Sequence, residues 1–134
     1  MLRDHGAGSP LTGLGPVVDI EEARDLVRHV ASLHVSTPVR RYVVALCQAT
    51  RTHPHLRLGA SPRAALQLQA AARAQAALAG RDHVLPDDVK DVAVAVLSHR
   101  LLLERRSGAD SAQDIVRTIL SDVRVPTEDA PQTR

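Results

Sequence analysis

The sequence predicts an all-α fold, a small bundle of four to five helices. Apolar residues recur at spacings of three and four along most of the chain, as in helices that bury one face. These periodic segments follow residues that commonly begin a helix, such as serine followed by proline, or aspartate followed by glutamate. No stretch alternates between apolar and polar residues over the length of a strand, and no internal repeat occurs.

The first helix is predicted to begin after Asp19. The Asp19 carboxylate can accept from the free amides of the first turn. Glu22, three residues later, can accept from the backbone of Asp19, and together the two form a capping box. The apolar residues that mark one face of this helix are Ile20, Ala23, Val27 and Val30.

The second helix is predicted to begin at residues 36–38 (STP), because a hydroxyl cap followed by proline is a common helix start. It is expected to end near His53 and Pro54, since proline disfavours helical backbone in the residue before it. Residues 33–35 are expected to form a short extended piece before this helix. The buried stripe is expected to be Val39, Val43, Leu46 and Thr50, with Cys47 buried beside it.

The third helix has the clearest start. Ser61 is the expected N-cap, Pro62 the first helical residue and Arg63 the second. Nine of the residues from 61 to 79 are alanine, the strongest helix former. Gly80 can take the left-handed conformation that often ends a helix.

The fourth helix is predicted to begin at residues 86–88 (PDD), where carboxylates lie at the positive end of the helix dipole. A fifth is predicted to begin after Ser111 and to stop at Pro126. The expected stripes are Val89, Val92, Ala93, Val96 and Leu97, then Ile115, Val116, Ile119, Leu120 and Val123. We therefore expect a helical domain over 19–126, preceded by a linker over 1–18 that is rich in glycine and proline, and followed by a disordered tail over 127–134.

The composition excludes several classes of protein. Hydrophobic residues make up 44% of the chain and Tyr42 is the one aromatic, so Leu, Val, Ile and Ala must form the core. A single cysteine, Cys47, excludes an internal disulfide and any multi-cysteine metal site. The longest apolar run, residues 92–97, is too short to cross a membrane, and the N-terminus does not resemble a signal peptide. We expect a cytoplasmic protein.

No residue pattern supports catalysis by this chain alone. The phosphate-binding loop G-x-x-x-x-G-K-[ST] and an apolar strand ending in Asp-Glu, which would hold magnesium, are both absent from the sequence. His53 and His55 flank a proline and lack the spacing of a zinc site. Ser61 lies in G-A-S-P-R, not in the G-x-S-x-G of serine hydrolases. We predict no catalytic residue, no metal site and no ATP hydrolysis by the chain alone.

Arginine supplies almost all of the positive charge, with sixteen arginines, a single lysine and a net charge of +2. The pairs Arg40 with Arg41 and Arg105 with Arg106 leave open a freestanding helical module that binds DNA or another protein. Interspersed acidic residues, and the lack of aromatic residues on which bases could stack, argue against nucleic acid as a partner.

Arg63 is the candidate binding residue. The first turn of a helix has free amides and a partial positive charge, which suit a phosphate. An arginine there is unfavourable for the helix dipole, so its position suits contact with an anion better than it suits stability. An ordinary surface arginine is the alternative.

Residues 58–66 (LGASPRAAL) resemble the sensor 2 segment of MoxR-family AAA+ ATPases. The resemblance spans about residues 9–126. The other segments that carry it are 9–11, 16–18, 49–51, 71–74, 80–84, 86–89 and 96–101. His83 stands where the family usually has an aromatic residue. Leu85 stands where it usually has Thr or Ser, a helix cap worth about 1 kcal/mol.

The resemblance implies that this chain is the helical lid that follows an αβα ATPase core in a longer protein, and the linker at its start fits a piece of such a protein. Arg63 would then contact the γ-phosphate, supported by Gly59, Ala60, Ser61 and Pro62. ATP and Mg²⁺ would be bound by the full-length protein and not by this chain alone. The family further implies a ring oligomer, commonly a hexamer, a chaperone-like remodelling activity and von Willebrand factor A domain proteins as partners.

Overall fold

The computed structural model describes residues 15–104 and 111–125, and within them the chain folds into a helical bundle. The helices are α1 (Ile20–Ser32), α2 (Thr37–Thr52), α3 (Pro62–Leu78), α4 (Pro86–Leu97) and α5 (Ala112–Asp122). A 3-10 turn (Ser98–Arg100) follows α4, and two short strands, β1 (Leu56–Leu58) and β2 (Leu102–Leu103), pair with each other. The predicted all-α bundle is confirmed. Most of the predicted linker, Pro126 and the predicted tail lie outside the described residues.

The helices start where the sequence predicts. The capping box of α1 is present, with the Asp19 carboxylate 2.8 Å from the amide of Glu22 and the Glu22 carboxylate 2.8 Å from that of Asp19. Ser36, Ser61 and Ser111 each accept from the amide three residues on and so cap α2, α3 and α5. These starts depend on neighbouring residues alone, which is why the sequence reveals them.

The core lies between α3 and α4, which pack on each other most extensively, with α2 and α5 against them. Small side chains, among them Ala64, Ala72 and Ala76 of α3 and Ala93 of α4, are fully buried, so the helices can approach closely. The four stripe residues predicted for α2 are all buried, and so is Cys47. In α4 and α5 the centres of the predicted stripes are buried. Val92, Val96, Leu120 and Val123 are partly buried at their edges.

Much of the apolar face of helix α1 is left uncovered by the residues that the structure describes. No residue of α1 is buried, and Ile20 and Val27 keep 65% and 70% of their surface exposed. The helix packs on α3, and the Arg73 guanidinium donates to the backbone oxygen of Leu33 just after the end of α1 (3.0 Å). The apolar spacing therefore predicted the helix correctly, but it did not reveal how exposed this face is.

The small antiparallel sheet was not predicted. Leu56 pairs with Leu103 and Leu58 with Leu102, with an irregular register between them. Strands of two or three residues are too short for an alternating pattern to show in sequence. The sheet joins the segment before α3 to the segment after α4, and it brings Arg57 close to the turn that carries Arg100. The short extended piece predicted at 33–35 is present, as His34 forms an isolated bridge with His83.

Candidate functional site

The start of α3 carries the predicted binding residue. Ser61 has extended backbone angles, and its hydroxyl accepts from the amide of Ala64 at 3.3 Å. Pro62 is the first residue of the helix and Arg63 the second. The Arg63 side chain is exposed and has no hydrogen bond or ion pair within residues 15–104 and 111–125.

The last turn of α2 fixes the chain just before this helix start. The Thr50 hydroxyl accepts from the amide of Ala60 (2.8 Å) and donates to the Cys47 carbonyl oxygen (2.7 Å). The Arg51 Nε donates to the carbonyl oxygen of Ala60 (2.7 Å). Both backbone groups of Ala60 are therefore bonded to side chains of α2, an arrangement that we call the Ala60 clamp.

Gly59 lies where the clamp brings two backbones together. A Cβ atom added at Gly59 would stand 2.6 Å from the Thr50 carbonyl oxygen and 2.7 Å from the Cα of Arg51. Both atoms belong to the helix backbone and cannot rotate away. The glycine is needed here because the chain passes so close to α2.

Replacing Thr50 by valine is expected to destabilise the domain by about 2 kcal/mol, because the buried amide of Ala60 then loses its acceptor. Thr50 itself is fully buried, so water cannot reach the amide in its place. Urea unfolding followed by circular dichroism measures the change. Thr50→Ser, which keeps the hydroxyl, is the control, and equal losses for the two variants would contradict a role for the hydroxyl.

A cleft of about 510 Å³ opens beside the clamp. Three arginines line it together with residues 58–61, and we call it the arginine cleft. Arg51 comes from the end of α2, Arg57 from β1 and Arg100 from the turn after α4. This grouping could not be predicted from the sequence, because the unpredicted sheet is what brings Arg57 and Arg100 together.

An ion pair between a buried aspartate and a partly exposed arginine holds the start of α4. The Arg81 guanidinium donates to both carboxylate oxygens of Asp88, at 2.5 and 2.6 Å, and the same carboxylate accepts from the amide of Leu85 at 2.7 Å. The hydrogen bond from Arg81 holds the pKa of Asp88 below its ordinary value. Asp88 thus partly replaces the cap that Leu85 cannot provide. The sequence suggested an acid at the helix dipole but not its partner.

The histidines, the cysteine and the paired arginines that the sequence analysis considered lie in the following surroundings. The His53 and His55 rings meet edge to face, with centroids 5.5 Å apart. Among the described residues no group of three or more His, Cys, Asp or Glu side chains could hold a metal ion. Burial raises the pKa of the Cys47 thiol.

None of the helices described is both long and apolar enough to span a membrane. Arg40 and Arg41 are exposed on α2, and Arg105 and Arg106 lie outside the described residues.

Comparison with known proteins identifies the type of domain. Residues 48–119 match the AAA lid domain family. The chain is 39% identical over 121 residues to protein YeaC of Bacillus subtilis. This match covers 89% of this chain and 38% of YeaC. It is 40% identical over 100 residues to the chaperone MoxR1 of Mycobacterium tuberculosis, covering 66% of this chain and 26% of MoxR1.

The fold is similar to that of a solved structure. A crystal structure of a protein from Cytophaga hutchinsonii, assigned as an ATPase, superposes with a TM-score of 0.69 and 26% identity. The match covers 84% of this chain and 45% of that one. This chain therefore spans less than half of the length of the relatives that it matches.

Proposed function

The chain belongs to the AAA lid domain family and is a lid of the MoxR type. From this premise we propose that Arg63 is its sensor 2 residue and contacts the γ-phosphate of ATP held by an ATPase core in the same protein. The observation that carries the proposal is the Arg63 guanidinium, which is exposed at the first turn of α3 and has no partner among the described residues.

The surroundings of Arg63 suit a phosphate. An arginine can form charge-assisted hydrogen bonds to two phosphate oxygens at once. The Ala60 clamp fixes the segment before α3, so the contact costs little ordering of the backbone. No acidic side chain among the described residues pairs with Arg63 and would have to be displaced.

The rest of the machinery belongs to the protein beyond this chain. In our proposal the linker (1–18) connects the core to the lid domain (19–126), and the tail (127–134) follows it. The core supplies the phosphate-binding loop and the Mg²⁺ ligands, and bound ATP and Mg²⁺ supply the phosphoryl chemistry. We further propose a cytoplasmic ring oligomer, commonly a hexamer, with chaperone-like remodelling activity and von Willebrand factor A domain partners.

Replacing Arg63 by alanine in the full-length protein is expected to slow ATP turnover about tenfold or more, since one charge-assisted contact to the transferred group is lost. Steady-state phosphate release measures the rate, and circular dichroism of the isolated lid confirms that it stays folded.

Arg40→Ala is the matched control, because Arg40 is also exposed and lies at the start of α2, away from the lining of the arginine cleft. It should leave turnover within about twofold of the wild-type rate. Equal rates for the Arg63 and Arg40 variants would reduce Arg63 to a surface residue.

A further inference from the structure

We propose that the arginine cleft, lined by Arg51, Arg57 and Arg100, is a second anion site that binds a polyphosphate group. The group is either free polyphosphate or the phosphate chain of a nucleotide. Arg63 does not line this cleft. Residues 59–61 line the cleft and also precede Arg63, but the three arginines of the cleft are separate from Arg63, so the inference goes beyond the proposed sensor 2 role.

The lining of the cleft concentrates positive charge without a counter-charge. Its three arginines come from α2, β1 and the turn after α4, and no carboxylate lines it among the described residues. Glu104, the acidic residue next to the sheet, lies at the other end of it, where its amide donates to the carbonyl oxygen of His55 (2.9 Å). An anionic ligand would therefore meet no competing carboxylate among the described residues that line the cleft.

Two of the three guanidinium groups are held in place through one nitrogen only. Arg51 donates its Nε to the carbonyl oxygen of Ala60 (2.7 Å), and Arg100 donates its Nε to that of Val96 (2.9 Å). The terminal nitrogens of both remain without partners within the described residues. Side chains that are already oriented lose less conformational entropy when a ligand binds.

The charge of the cleft favours phosphate over a carboxylate. Three guanidinium groups carry three positive charges, while one carboxylate supplies one negative charge. A short polyphosphate carries several charges, and its oxygens point in different directions, so three arginines can bind it together. The cleft, of about 510 Å³, has no aromatic side chain on which a base could stack, which disfavours single-stranded nucleic acid.

Titration of the 134-residue chain with sodium tripolyphosphate, followed by ¹H–¹⁵N spectra at constant ionic strength, tests the site. We expect saturable shifts of the amides of Gly59, Ala60 and Ser61, with a dissociation constant of about 1 mM. Arg57→Gln is expected to weaken binding about tenfold, since one charge-assisted contact is lost. Arg57 makes no side-chain hydrogen bond within the described residues, so this variant should fold.

Arg40→Gln removes the same charge from a different surface, and it should change the affinity by less than about twofold. Arg100→Gln is the second test variant. If ATP competes with tripolyphosphate, the cleft also accepts the phosphate chain of a nucleotide. If it does not, the ligand is free polyphosphate, and either result supports the site.

Three results would overturn the proposal. The shifts could fail to saturate, the Arg57 and Arg40 variants could weaken binding equally, or duplex DNA could shift these amides while tripolyphosphate does not. Failure of the site and failure of the sensor role are distinguishable. The first is measured with tripolyphosphate on this chain, and the second as turnover by the Arg63 variant of the full-length protein.

Discussion

Replacing Asp88 by alanine is expected to lower the free energy of unfolding by about 3 kcal/mol. The carboxylate is buried and accepts three hydrogen bonds, two from Arg81 and one from the amide of Leu85. Its removal leaves the start of α4 without a cap and leaves Arg81 without its counter-charge. Thermal unfolding followed by circular dichroism should show a midpoint lower by about 10 °C or more.

Asp87→Ala is the matched control. Asp87 is the neighbouring acid, but it is exposed and pairs with Lys90 on the surface, so its loss should cost less than about 0.5 kcal/mol. Asp88→Asn keeps an acceptor for the Leu85 amide, so its loss of stability should lie between the losses of the two alanine variants. Equal stability of the Asp87 and Asp88 alanine variants would contradict a structural role for the ion pair of Asp88 with Arg81.

The same pair predicts how stability depends on pH. The folded-state pKa of Asp88 lies below its ordinary value of 3.8, so the ionised form is favoured in the folded state. The stabilisation that ionised Asp88 gives the folded state is therefore fully present at pH values above 3.8. It is lost as the pH falls through the lowered folded-state pKa. Urea unfolding in acidic buffers should show a smaller acid-induced loss of stability in Asp88→Asn than in the wild-type chain.

Replacing Gly59 by alanine is expected to destabilise the domain by about 2 to 3 kcal/mol. The added methyl would stand 2.6 Å from the Thr50 carbonyl oxygen, so the chain must move away from α2. That movement stretches both hydrogen bonds of the Ala60 clamp. Urea unfolding measures the cost, and the amide shifts of Ala60 and Ser61 report the displacement.

Gly15→Ala makes the same chemical change where, chain neighbours aside, no atom of residues 15–104 and 111–125 lies within 4 Å of the new methyl. It should leave stability within about 0.5 kcal/mol of the wild-type value. If Gly59→Ala were equally mild, α2 and the segment before α3 would not be packed as closely as the structure places them.

The local features of the fold could be predicted from the sequence. A cap such as Asp19 or Ser61 bonds to an amide three residues away, so sequence spacing alone reveals it. The end of α3 could also be predicted from a local feature, because Gly80 takes the positive φ (70°) that commonly follows the end of a helix. The position of Arg63 at the first turn of α3 followed directly from the cap.

The features that join distant segments could not be predicted in this way. The sheet pairs Leu58 with Leu102, more than forty residues apart, and each strand is too short to show a pattern. The arginine cleft depends on that pairing. The pair of Arg81 and Asp88 was missed for a different reason, because many acid and base residues at such spacings on a surface never meet.

The Ala60 clamp has a mechanical consequence. The first turn of α3 cannot tilt independently of α2 unless the bonds from Thr50 and Arg51 break. In the proposed sensor role, movement of the Arg63 side chain would therefore be transmitted to α2 as well as to α3.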